Sequence, residues 1–129
     1  MAQVKIFGLA DSLDPIKKKL SDAIHFCVVE ALDFPPEKRF HRFFPMQPED
    51  FLFPQDRSER YFIIEISMME GRTVDTKKRL IRLLFERIGS DLGIAFADLE
   101  ITIYESPQCN WGFRGQTGDE IALNYKVEI

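Results

Sequence analysis

Apolar residues recur at two periods along this chain, and the two periods alternate. Val4, Ile6 and Phe7 open it as a short strand. Ile16, Leu20, Ile24, Cys27, Val28 and Ala31 then follow by threes and fours, which is one face of a helix. Ser12 or Asp14 is placed to cap that helix, and Pro15 stands in its first turn, where a missing N–H costs nothing. The run from Arg39 to Phe44, closed by Pro45, reads as a second strand. The same order then returns. Tyr61 to Met68 is rich in strand formers, Leu80, Ile81, Leu84, Ile88 and Leu92 mark a second amphipathic helix, and Leu99 to Tyr104 ends near Pro107.

The return is a repeat. Ser12-Leu13-Asp14-Pro15-Ile16-Lys17-Lys18 is answered by Thr73-Val74-Asp75-Thr76-Lys77-Lys78-Arg79, and Leu32 to Lys38 by Leu92 to Asp98. Each half is strand, helix, strand. A helical crossover of that length implies parallel pairing with a right-handed connection. The expected fold class is therefore α/β (α+β): tandem βαβ units over 2–45 and 60–107, in one domain spanning 1–129. They form a four-stranded, mainly parallel sheet with both helices on one face. The other face is left bare and Phe-rich, so a second subunit is expected to cover it. Residues 45–60 carry three prolines and a cluster of charges, and read as an ordered linker. Ile121 to Ile129 alternates with period two, which predicts a C-terminal strand that extends the sheet or pairs at an interface.

Composition narrows the function. The 129 residues suit one domain, and 12 Phe are many to hide in one small core. A formal net charge of −4 lacks the footprint of a nucleic-acid binder. No apolar run is long enough for a membrane span or a secretory signal, so a cytoplasmic location is expected. Cys27 and Cys109 make neither a disulfide framework nor a zinc spacing, and Cys27 reads as a small buried hydrophobe. No Gly-rich phosphate loop, metal cluster or Ser-His-Asp pattern stands out, and neither cofactor nor metal is expected. His25 and His41 read as structural. Glu65, which interrupts an apolar strand, is expected to meet a cation.

Four segments carry a resemblance: Val4-Lys5-Ile6, Phe34-Pro35-Pro36-Glu37-Lys38-Arg39-Phe40, Glu70-Gly71-Arg72-Thr73, and Asn110-Trp111-Gly112-Phe113-Arg114-Gly115. Together they resemble the tautomerase superfamily over nearly the whole chain, nearest its malonate semialdehyde decarboxylase-like and 4-oxalocrotonate tautomerase-like branch. The resemblance implies a homotrimer and a small-molecule carboxylate substrate. It also implies an N-terminal amine as the proton-transferring group. The family has proline there, and this sequence has Ala2. An α-amine titrates near ~7.7–8.0, and burial with nearby arginines lowers it toward useful base strength. Were Met1 retained, the amine would be displaced by roughly 3.5 Å.

The same resemblance makes Arg72 the group that holds the carboxylate, a task suited to the guanidinium fork. A surface ion pair at a helix start is the other reading. Met69 and Glu70 stand where active relatives carry a second arginine, and Lys38 stands in place of the decarboxylase aspartate. Trp111, Asn110 and Arg114 lie in a glycine-punctuated loop, read either as a pocket wall with an anion-binding cation or as an interface loop anchored by Trp111. Two functions follow: enol–keto tautomerisation of a small keto or enol acid or a related reaction, or a catalytically silent trimer with a binding or structural role.

Overall fold

The computed structural model describes residues 2–121, 123 and 125–129. Four strands build its main sheet: β1 (Ala2–Leu9), β2 (His41–Met46), β3 (Phe62–Met69) and β4 (Leu99–Ser106). They lie in the order β2-β1-β3-β4. β1 pairs parallel with β2, and β3 parallel with β4, as helical crossovers require. The two units join back to back through an antiparallel β1–β3 pair, with Ala2 opposite Met68 and Gly8 opposite Phe62. The sheet is thus mixed: each repeat is parallel within itself, and the seam between repeats is antiparallel. This seam puts the beginning of β1 beside the end of β3.

A short helix α1 (Ala10–Leu13) and a 3-10 turn precede α2 (Lys17–Leu32); α3 (Val74–Leu92) is the second long helix. α2 and α3 pack side by side against one sheet face. Ala2, Val4, Ile6, Ile64, Ile66 and Met68 face them from the sheet; Leu20, Ile24, Cys27, Leu80, Leu84 and Ile88 answer from the helices, and all are buried. Burial pushes the Cys27 thiol up to about 12, in keeping with a structural role. Both helices stop on a left-handed residue, Asp33 at φ 50° and Gly93 at φ 68°.

The opposite sheet face carries Phe7 stacked on Phe44 at 4.7 Å between ring centres. Lys5 lies across from Glu65 in the ladder, which gives the acid its cationic neighbour. The linker is an ordered arm. Phe51 and Phe53 pack on Tyr61, the Ser58 hydroxyl donates to Asp98 at 2.6 Å, and Arg57 bridges Asp56 and Glu100.

Two expectations change. Neither Ser12 nor Asp14 caps α2, whose N-cap is Ile16 with no side-chain bond. Ser12 lies inside α1 and gives its hydroxyl to Glu59 O at 2.7 Å, so a tertiary acceptor takes the proton that a cap would not need. In the single chain none of the described residues of the strand expected over 121–129 belongs to a strand, and 122 and 124 lie outside the described residues. Alternation of burial persists there without a ladder. Val127 is buried and Tyr125 half-buried, while Lys126 and Glu128 point outward. Tyr125 packs on Phe34 instead of pairing its backbone with a sheet edge. A short β5 (Gly112–Phe113) and β6 (Gln116–Thr117) form a separate hairpin before this segment.

Candidate active site

The antiparallel seam sets the geometry. Ala2 begins β1 and is 3% exposed, with Met68 as its cross-strand neighbour. The chain leaves β3 immediately after, through Met69, Glu70 and Gly71, and Glu70 N–H donates to Ser106 O at 2.9 Å. Gly71 takes φ 137°, a conformation nearly confined to glycine. That turn aims Arg72 back beneath the surface.

Arg72 is 4% exposed. Its Nη1 donates to Met69 O at a long 3.3 Å, and its Nε and Nη2 are buried without a partner among the described residues. Burial lowers its pKa, while Tyr125 and Glu105 act in the opposite sense. Glu105 is already engaged by Lys77 at 2.7 Å. A buried guanidinium with two unanswered donors is costly, because desolvation is not repaid by hydrogen bonds. This surface ion-pair candidate is therefore no surface ion pair. Its free Nε and Nη2 lie along one edge of the fork, the arrangement that takes a carboxylate bidentately.

α3 begins next to it. Thr73 is the N-cap and accepts from Thr76 N–H at 3.2 Å. Thr76 Oγ1 donates to Ile129 O at 2.8 Å, which ties the C-terminal segment to this helix start. Val127 closes over Gly71. Beside this segment lies a cavity of about 430 Å³ lined by Gln108, Leu123, Tyr125, Lys126, Val127 and Glu128.

The remaining candidates are placed unevenly. Trp111 leads into the hairpin, and its Nε1 is a second buried donor without a partner among the described residues. It is joined to the same corner through Gly118, whose N–H donates to Trp111 O at 2.7 Å and whose backbone lies against Met69. Arg114 sits at the hairpin turn with φ 55°, its guanidinium over Phe113; burial raises the pKa of Tyr125, and Arg72 and then Arg114 oppose that rise. Asn110 is exposed, and its amide oxygen faces Cys109 Sγ rather than the Arg72 corner. Among the described residues no group of His, Cys, Asp and Glu could hold a metal, and no helix is long and apolar enough to cross a membrane. His41 accepts from or donates to Ser21 at 2.8 Å, and His25 meets Pro36 O at 2.7 Å; both hold structure, as expected. The residue that sequence reasoning passed over is Tyr125. Its only signal was an aromatic with a hydroxyl at an inward position of the alternating tail.

Known proteins bear on this arrangement. The chain is 32% identical over 102 residues to the probable tautomerase YrdN of Bacillus subtilis (strain 168), covering 74% of this chain and 78% of that protein. The solved structure of FG41 malonate semialdehyde decarboxylase inhibited by 3-bromopropiolate is 26% identical, with a TM-score of 0.80 over 94% of this chain and 98% of that one. A fused 4-OT solved as an asymmetric trimer shares the fold at 20% identity, with a TM-score of 0.78 over 91% of this chain and 96% of that one. Residues 38–114 match the family described as tautomerase enzyme. With its tandem βαβ architecture, its matched span and its relatives in agreement, the chain belongs to the tautomerase superfamily.

Proposed function

We propose that the chain is a homotrimeric tautomerase-type enzyme acting on a small 2-oxo carboxylic acid or its enol. The observation that carries this reading is Arg72, buried and with Nε and Nη2 unpartnered beside the start of β1. Arg72 takes the substrate carboxylate through that free edge. With Met1 removed, the Ala2 amine stands at the same end of the seam. It accepts the proton released from the enol oxygen's side of the reaction or from the carbon next to the carbonyl, and returns it at the other position. Substrate and product differ only in where that proton sits, so no oxidant or reductant is needed. Arg114 faces the charge that develops on the enolate oxygen, and Trp111 offers its buried Nε1 and ring to the rest of the substrate. Asn110 lines the loop that carries them.

The bare sheet face with its stacked Phe7 and Phe44 supports assembly, and the related fused 4-OT is a trimer. The related decarboxylase is inhibited by 3-bromopropiolate, itself a small carboxylate. Lys38 in place of that branch's aspartate favours tautomerisation over decarboxylation. The second reading, a silent trimer, draws on one feature: Ala2 stands where the resemblance places proline.

Mass spectrometry of the native N-terminus together with a phenylpyruvate tautomerisation assay tests the proposal. A free Ala2 amine and measurable turnover that Arg72→Ala abolishes are the expected results. Ala2→Pro, with Met1 removed, raises that turnover by about 10- to 1000-fold, since a primary amine is less basic and freer to rotate. A processed Ala2→Pro protein that stays inert refutes the enzymatic reading and leaves the silent trimer.

A further inference from the structure

Tyr125 occupies an unusual position for a residue of a terminal segment. Its ring meets Phe34 edge to face at 5.0 Å and 65°, and Lys38 Nζ lies 5.4 Å from its centre. These contacts hold the ring in place. Tyr125 lines the cavity together with Val127, which lies against Gly71, the residue before Arg72. Among the described residues none hydrogen-bonds its hydroxyl. The phenol also lies within the fields of Arg72 and Arg114, which both pull its pKa down, while burial pushes it up and prevails. The side chain is thus a neutral O–H donor at neutral pH, with cations near it and no acceptor among the described residues.

We infer that Tyr125 is a substrate-contacting residue of this site, its O–H donating to the oxygen at carbon 2 of an acid whose carboxylate lies on Arg72. The inference rests on the proposed function and adds a choice among carboxylates. A guanidinium fork takes any carboxylate; a second donor set beside it, aimed at the neighbouring carbon, rewards only acids that carry an oxygen there. The same bond grows stronger as that oxygen becomes an enolate, because donors to a charged acceptor are worth more than donors to a neutral one. Arg72 and Arg114 assist by making the phenol a better donor without ionising it.

Calorimetric binding of phenylpyruvate and of 3-phenylpropanoate, which has the same skeleton without the oxo group, tests this on wild type, Tyr125→Phe and Arg72→Ala. Phenylalanine keeps the ring against Phe34, and a thermal melt verifies that the variant is folded. Wild type is expected to prefer phenylpyruvate about tenfold, the worth of one well-placed hydrogen bond. Tyr125→Phe is expected to lose that preference while holding 3-phenylpropanoate as before, and Arg72→Ala to lose both acids. A preference that survives Tyr125→Phe overturns the role of the hydroxyl and leaves Arg72's role standing. If neither acid binds wild type, the carboxylate site itself is refuted, and the inference with it.

Discussion

Gly71 and Val127 are in contact at the base of the site: a methyl placed on Gly71 would stand 3.1 Å from Val127 Cγ1. The glycine also holds φ 137°, so any side chain there is strained as well as crowded. Gly71→Ala is expected to destabilise the fold by about 1–3 kcal/mol and to lift the segment around Val127. Urea unfolding reads the first effect. Faster limited proteolysis between Tyr125 and Ile129 reads the second.

Arg72 links affinity to instability. Its two donors without partners among the described residues cost the empty protein stability, which on the proposed function a bound carboxylate repays. Arg72→Met, of similar length and without charge, is expected to raise the stability of the empty protein by about 1–2 kcal/mol and to abolish the gain in melting temperature that phenylpyruvate gives wild type. A melt with and without ligand decides it; a destabilised Arg72→Met protein would contradict the cost assigned to those two nitrogens.

His41 predicts an acid-sensitive fold. Burial, then Arg39 and His25, push its pKa down to about 4, with Asp22 opposing. Since the folded value lies below the ordinary value of about 6.5, the unfolded chain binds the extra proton between the two. Stability is full above pH about 6.5 and falls as the pH drops toward 4, by about 1–3 kcal/mol after allowing for partial solvent access. His41→Gln keeps an acceptor for Ser21 and is expected to flatten that window in pH-dependent urea melts.

Assembly is tested at the bare sheet face. Phe44 is 38% exposed and stacks on Phe7 in the single chain. Sedimentation is expected to give the mass of three 15.1 kDa chains for wild type and of one for Phe44→Glu, which sets a charge in the apolar patch. Wild type sedimenting as a single chain would rule out the trimer.

Much of the fold was legible because local signals and tertiary packing agree. α3 has Thr73 as a working cap, an apolar stripe through Leu80, Leu84 and Ile88, and Gly93 as a left-handed stop. The start of α2 was misread because capping chemistry in Ser12 does not say which acceptor will claim the hydroxyl, and Glu59 O claims it from 47 residues away. The tail misled for a related reason. Period-two burial fixes which residues face inward, but a strand also needs an edge to pair with, and Tyr125 and Val127 found side chains instead. At the site, a resemblance singled out Arg72; that its Nε and Nη2 would be buried without partners among the described residues depends on the Gly71 turn and on the tail above it, neither of which a single sequence position encodes.

The antiparallel seam has a consequence in stoichiometry. β1 and β3 are both eight residues long and lie 60 positions apart, so the backbone offers two pseudo-equivalent corners. At the far corner the strand counterpart of Ala2 is Phe62, whose nitrogen is a peptide N–H, and the repeat that pairs Ser12 with Thr73 sets Asp11 where Arg72 stands. The recess there, about 180 Å³, is lined by Asp11 and Glu59 and by no cation. Near-twofold symmetry of the backbone therefore ends in one-fold chemistry: on the proposed function the acidic corner repels the ligand that the arginine corner collects, and a carboxylate titration is expected to saturate at one equivalent per chain.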